Sequence, residues 1–494
     1  MVTRSSASTS KAAATPTPDL KATPKSRSTP KAKPAVKAVP VAMSKPARAK
    51  AQKQATEKPQ PAPRAKRQAP SPSQSHPQRD SRKYDVVLYG ASGFVGKQTV
   101  AYFAQLGPLK NAAGKPLRWA LAGRSADKLE AVKAACGAGA KNADIVVADA
   151  QDAAALGRLA QDACVVLSTA GPFALYGSEL VAACVKHGTH YVDITGETQW
   201  VHGMIAQHHA AAEARGTRII PFCGFDSVPS DLGTWLITQA MLEKYGEPCE
   251  RVKACFTLRG GVNGGTLASA FNFMGSDQAK MLADPFLLSP AQGKIRSATG
   301  HQDPTGPSFD VDFKAWLGPF FMGPINTRVV RRSADLLTPA RGKPMGYAKD
   351  FHYQEYLRFG GGPLAAVAAT AFSAGMVASQ FAMTLAPVRA LAGKLVPGPG
   401  TGPSEGSMNR GSFRCELVGK SASGHVVRGR VADRGDPGNR ATTKMVCEAA
   451  LCLALQLDEL PVGRRKGGLL TPASGLGAVL VARLGNAGMT LEAD

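Results

Sequence analysis

The chain has 494 residues, 44% of them hydrophobic, and a formal charge of +24 from 60 Lys and Arg against 36 acids. That length and apolar content exclude a wholly disordered chain and leave room for two or three domains with sizeable cores. Nine scattered cysteines, odd in number and without a Cys-x-x-Cys pair, argue against a disulfide or zinc framework and for reduced, buried thiols in a cytoplasmic setting.

Residues 1–82 are dominated by Pro, Ala, Lys, Ser and Thr, with 17 Lys and Arg against 3 acids up to position 80. Such a segment buries too little apolar surface to offset its ordering entropy, so a disordered basic tail is expected. Charge alone allows it to touch polyanions, nucleic acid or anionic lipid, though a solvated tail without a partner reads equally well. No apolar run follows Met1, so no signal peptide is expected.

At Tyr84–Gly96 the chain reads YDVVLYGASGFVG. A short apolar strand, glycines at three-residue spacing and a following helix make a phosphate-binding βα unit. Gly90, Ala91, Ser92, Gly93, Phe94, Val95 and Gly96 are its candidate cofactor contacts. Gly90 permits the turn, Gly93 lets backbone approach a pyrophosphate, and Gly96 lets helix and strand pack closely. The second strand ends in Arg124 and Ser125, with Lys128 one turn on. These suit a ribose 2′-phosphate where an NAD site would carry an acid, so the cofactor read here is NADP(H). Asp149, after the third strand, can accept from an adenine amino group. Ala170, Gly171 and Pro172, after the fourth, bend the chain beneath the nicotinamide ribose. Tyr176 opens the next helix.

The fifth and sixth strands end in YVDITGE and FCGFDSVPSD, which place Asp193, Glu197, Asp226, Ser227 and Asp231 around the nicotinamide face. Ser230 or Asp231 equally suits a helix N-cap. Tyr176, Ser227 and Asp226 are the candidate catalytic residues. No Tyr-x-x-x-Lys occurs in the chain, so the acid pair of short-chain dehydrogenases is missing. The histidines between 187 and 209 lack a further ligand group, and no metal is expected. Strand–helix alternation predicts an α/β fold: a Rossmann-type doubly wound parallel sheet over 83–240, preceded by the disordered basic tail.

Over 241–400 a second α+β domain for substrate or dimerisation is expected. Its parts are a strand at Val252–Leu258, a glycine turn at Gly260–Gly265, a helix at Thr266–Met281, and extended pieces at Phe309–Phe313 and Val329–Arg331. Residues 363–385 carry no charge and are long enough to span a bilayer, yet their alanine content favours a buried or interfacial helix. Over 401–494 a linker at 397–411, a strand pair at Phe413–Leu417 and Val426–Ala432, and a helix at Thr442–Gln456 are expected to return to the cofactor domain.

GASGFVG, LAGRS-x-x-KL, TAGPF-x-x-YG, YVDITGE, GFDSVPSDLG, GGT-x-AS at Gly264–Ser269, the Gly435–Ala454 stretch and LLTPASGLG at Leu469–Gly477 together resemble the saccharopine dehydrogenase-like oxidoreductases. The resemblance covers residues 84–490 and is nearest the trans-acting enoyl reductase branch. It implies an NADPH-dependent reductase of a lipid-like or acyl-thioester substrate, carried by a synthase, in lipid or glycolipid biosynthesis. It also implies a lipid-facing role for 363–385, with peripheral contact at the inner face of the plasma membrane, and is compatible with a homodimer. In an enoyl reduction Ser227, Tyr176 or a backbone amide could supply the donor to the enolate. Two alternatives stand beside it. One is a saccharopine-type secondary-amine dehydrogenase using Arg259, Arg328, Arg331 and Arg332 as carboxylate clamps. The other is a non-catalytic NADP-binding, lipid-associated protein.

Overall fold

The computed structural model describes residues 81–494, apart from 108, 112–113, 260–280, 290–299, 339–345, 383–384, 386, 389–390 and 392–401. The tail up to residue 80, nearly all of the glycine turn and helix expected over 260–281 and the first five residues of the 397–411 linker lie outside the described residues.

Two seven-stranded sheets organise the chain. The first collects β1 (Tyr84–Tyr89), β2 (Trp119–Gly123), β3 (Asp144–Val147), β4 (Ala163–Ser168), β5 (His190–Asp193) and β6 (Arg218–Ile220). Helices run between them: α1 (Phe94–Gln105), α2 (Ala126–Ala135), α3 (Ala153–Asp162), the short α4 (Phe173–Tyr176), α5 (Ser178–His187) and α6 (Thr198–Ala214). With β13 (Gly468–Leu469) at one edge, every pairing is parallel, in the order β13-β6-β5-β4-β1-β2-β3. The strand order reverses beside β1, and a ligand crevice forms at such a reversal, outside the carboxyl ends of the strands. β1 and β4 are buried at every position, as central strands covered on both faces must be.

After α7 (Val228–Tyr245) the chain builds a second, mixed sheet. It comprises β7 (Cys249–Arg259), β8 (Ser308–Asp310), β9 (Ala315–Pro319), β10 (Tyr347–Gly360), β11 (Ser412–Ser421), β12 (Val426–Arg434) and β14 (Thr490–Ala493), in the order β14-β12-β11-β7-β10-β9-β8. Between β9 and β10 runs α8 (Gly323–Leu337); between β10 and β11 lie α9 (Pro363–Ala382) and the short α10 (Glu405–Arg410). The last segments are α11 (Thr442–Leu455), β13 (Gly468–Leu469) and α12 (Pro472–Asn486). One hydrophobic cluster joins Val86 and Leu88 of the first sheet to Val252, Phe256 and Phe413 of the second through Leu232, Met445 and Leu476.

Two expectations are corrected here, and a third is narrowed. The strand pair around Phe413 and Val431 joins the second sheet, with β11 antiparallel to β7 over its whole length. Only β13, beside β6, and the almost fully buried α11 return to the first sheet. Val329–Arg331 is helical, inside α8, because a short apolar run does not distinguish strand from buried helix. The uncharged α9 is not buried. Ala369 and Ser373 form its inner stripe, while Leu364 (84%), Val367 (66%) and Phe381 (70%) are exposed. Among the described residues no helix is long and apolar enough to cross a membrane.

Candidate active site

β1 ends at Gly90, whose φ of +83° suits glycine. A Cβ there would lie 2.8 Å from the Ala170 amide nitrogen. At Gly96 it would lie 2.1 Å from the Gly90 carbonyl oxygen, so only glycine lets α1 start this close to the turn. Gly93 is the N-cap and offers no side chain to the helix. The Lys97 amide bonds to the Gly93 carbonyl at 2.9 Å, whereas those of Phe94, Val95 and Gly96 make no backbone hydrogen bond. These free donors and the positive end of the helix dipole are what a bridging pyrophosphate takes up. No acid sits in the first turn to compete for them.

Arg124 and Lys128 are exposed at the end of β2 and the start of α2. The Ser125 hydroxyl accepts from the Lys128 amide at 3.5 Å as the N-cap, and that weak contact leaves it able to meet a phosphate. Asp149 is exposed after β3 and accepts from the Gln151 amide at 2.9 Å. Ala170 faces Gly90 across the crevice floor, and the Gly171–Pro172 bond is cis. The cradle, the free amides and the exposed cations fit a 2′-phosphorylated dinucleotide.

The acids expected around the nicotinamide divide. Glu197 accepts from the Phe173 and Ala174 amides at 2.9 and 2.8 Å, fixing the start of α4. Asp193 Oδ1 accepts from the Thr195 and Phe222 amides at 3.0 and 3.2 Å, locking the ends of β5 and β6 together, and burial pushes its carboxyl up to about 7. Asp231 is no cap. It lies inside, bonded to the Ser333 hydroxyl and, at 2.8 Å, to the Ala473 amide, and burial lifts it to about 7. Ser230 is no cap either, donating to Glu355 at 2.8 Å. Ser227 is fully buried, and its hydroxyl donates to Asn326 Oδ1 at 3.1 Å.

Asp226 is different. Its carboxylate has no hydrogen-bond partner among the described residues, and desolvation pushes it up to about 6. It is half-buried at the carboxyl end of the sheet. A Cβ on Gly196 would lie 3.6 Å from its Oδ2 and 3.4 Å from Ile325 of α8. The crevice is therefore walled by the β5 and β6 loops and by the start of α8. Tyr176 is half-buried on α4.

Sequence reasoning missed Asn326 and Glu355. Asn326 Nδ2 donates to Glu355 Oε1 at 2.8 Å, and Glu355 Oε2 accepts from Ser230 and Tyr353 at 2.8 Å each. Burial pushes Glu355 up to about 7. Its signal was an acid on the inward side of a strand, in register with Phe351 and Tyr353. Arg259 is exposed at the end of β7, and the other three proposed arginine clamps are otherwise engaged. Arg328, Arg331 and Arg332 are buried and donate to backbone carbonyls of Asp284, Pro285, His301 and Leu288. Fixed in that way, they hold loops to α8 and face no substrate carboxylate.

The parallel sheet, glycine cradle and crevice acid define a dinucleotide-dependent oxidoreductase. A family model described as the saccharopine dehydrogenase NADP binding domain matches residues 86–220. A trans-acting enoyl reductase of Mycobacterium bovis is 35% identical over 425 residues, covering 83% of this chain and 97% of its own. One from Mycobacterium ulcerans is 36% identical over 434 residues, covering 83% and 98%. The apo saccharopine dehydrogenase (L-Glu forming) of Saccharomyces cerevisiae is similar at 15% identity and a TM-score of 0.47, over 83% of this chain and 99% of its own. The chain belongs to the saccharopine dehydrogenase-like oxidoreductases, in their trans-acting enoyl reductase branch, and its cofactor is NADP(H).

Proposed function

We propose that the chain reduces the carbon–carbon double bond of a 2-enoyl thioester, on a lipid or polyketide type of chain presented by a separate synthase. NADPH, when bound, supplies the hydride to the β-carbon. The enolate that results needs a proton at the α-carbon, and Asp226 is placed to give it. Its unpartnered, raised carboxyl beside Gly196 is the observation that carries the reading. The half-open crevice lets it take its next proton from water. Tyr176, half-buried on α4, is assigned the orientation of the thioester carbonyl. Ser227, held under Asn326, stiffens the loop that presents Asp226.

The test is NADPH oxidation by the purified chain with a trans-2-enoyl thioester, a 3-ketoacyl thioester, or a 2-oxoacid with an amino acid. Turnover with the enoyl thioester alone is expected. Turnover with the oxoacid pair alone would replace this reading by an amine dehydrogenase.

The exposed side of α9 supports a peripheral contact with lipid, in which Leu364, Val367 and Phe381 enter the acyl boundary. Cosedimentation with anionic vesicles, lost on changing Val367 and Phe381 to Ser, is the expected outcome. Undiminished binding by that variant refutes it.

A further inference from the structure

Three ligand-type side chains unused by this chemistry meet where the loop at His301 crosses β10. Asp350 and His352 stand two residues apart on β10 and so project from one face. His301 reaches them from the loop. It is 4% exposed, and its backbone carbonyl is held by Arg331 at 2.7 Å. The His301 ring packs against Phe286 at 4.8 Å and stacks on His352 at 4.2 Å. His301 Nε2 lies 3.6 Å from Asp350 Oδ1, and His352 Nε2 lies 3.5 Å from Oδ2. One ligand atom from each residue falls within 4.8 Å of the other two.

We propose that His301, Asp350 and His352 form a binding site for a borderline divalent cation of the Zn2+ type. The separations are too long for charge-assisted hydrogen bonds, which run at about 2.7–2.9 Å. The two contacts use different oxygens of Asp350; with one ligand atom from each residue the three atoms lie within 4.8 Å of one another, a spread that side-chain rotation narrows to the donor–donor spacing of about 3.4 Å set by a tetrahedral ion with bonds of about 2.0–2.1 Å. His352 Nδ1 faces the Gly300 carbonyl at 3.4 Å; donating there leaves the Nε2 lone pair for a metal. The buried Nδ1 of His301 has no hydrogen-bond partner.

The two rings lie 11° from parallel, so their lone pairs run side by side. Closing onto an ion takes a turn of the partly exposed His352 and a swing of Asp350, which is 86% exposed, while His301 stays fixed. Three protein ligands leave a fourth position for water or an exogenous ligand. Occupancy would clip this loop to β10. The same loop carries Asp303, which pairs with Arg328 and accepts from Thr327 at 2.8 Å, next to Asn326. The cation would thereby brace α8, one wall of the crevice. The site does not depend on the reductase reading.

Tag-free full-length protein, stripped with chelator, is titrated with Co2+ and then Zn2+. One equivalent of Co2+ with visible tetrahedral bands, displaced by Zn2+, is expected. Asp350→Asn and His352→Ala should each weaken binding by about 100-fold. NADPH affinity should stay unchanged, which shows that the variants are folded. Asp350 is exposed, so D350N tests the site even if H352A fails to fold. No saturable binding, intense near-ultraviolet thiolate bands, or binding indifferent to D350N overturns the proposal.

Discussion

Asp226→Asn separates proton donation from hydride supply. Lifting the carboxyl from 3.8 to about 6 by desolvation corresponds to about 3 kcal/mol of lost preference for the ionised form. A group titrating there is roughly half protonated at pH 6, one part in ten at pH 7 and one in a hundred at pH 8. If it delivers the proton, kcat/KM for an enoyl thioester is level below pH 6 and falls about tenfold for each pH interval above it. Asn is nearly isosteric and has no proton of that acidity. In D226N the break near pH 6 disappears, and kcat drops by about 100- to 10,000-fold, while NADPH affinity stays as it was. The assay is initial-rate NADPH oxidation across pH 5 to 9, with NADPH binding followed by fluorescence. A D226N variant that keeps the break near pH 6 and the rate refutes the reasoning and moves the search to Tyr176.

Arg124→Ala should weaken NADPH by about 10-fold, the worth of a charge-assisted hydrogen bond, and leave NADH alone; equal effects on both would count against the 2′-phosphate contact. Gly96→Ala would force a Cβ to 2.1 Å from the Gly90 carbonyl and 2.9 Å from Ala91 Cα, both backbone. It should cost about 1–3 kcal/mol in unfolding and abolish NADPH binding, and a variant that binds normally would refute the cradle. Stability should fall as pH rises from about 4.5 to 7.5. Asp193, Asp231 and Glu355 are each pushed up to about 7 by burial, so the folded chain holds protons that the unfolded chain has released. Their contribution is complete below the unfolded carboxylate range and is lost as pH rises through 7. His187, His208, His209 and His301, lowered by burial, have the opposite sign and offset part of that fall while the unfolded imidazoles release their protons through about 6.5. A melting temperature that rises over this window refutes the assignment.

The cofactor half was legible because its signals are local. Gly90, Gly93 and Gly96 announce a turn whose geometry depends on no distant residue, and the strands from β1 to β6 are apolar runs bounded by turns. The second half was not, because its determinants lie far apart in the chain. Whether Phe413–Leu417 pairs with the first sheet or with β7 depends on a partner more than 150 residues away. The run Val329-Val330-Arg331-Arg332 looks extended, yet burial of both arginines against loop carbonyls makes it a helical turn buried on every side. Asp231 stands two residues after Pro229 in a cap-like setting, and only the approach of Ser333 and Ala473 turns it inward.

The adjacent pair Asp226-Ser227 shows how the second sheet completes the first. A β6 loop on its own would leave both side chains free to choose a direction. Ser227 is drawn to Asn326 of α8, and Asn326 to Glu355 of β10. Glu355 is in turn fixed by Ser230 and Tyr353, so the chain of bonds closes back on α7. A buried carboxylate with three donors is strongly constrained, because losing one partner leaves a polar group unmet away from water. With Ser227 pinned inward, Asp226 is left beside Gly196 and Ile325, without a donor and in a desolvated setting. The raised pKa thus follows from what the second sheet withholds from Asp226 as much as from its burial. A substrate domain can set the proton chemistry of a cofactor domain in this way without contributing a reacting group of its own.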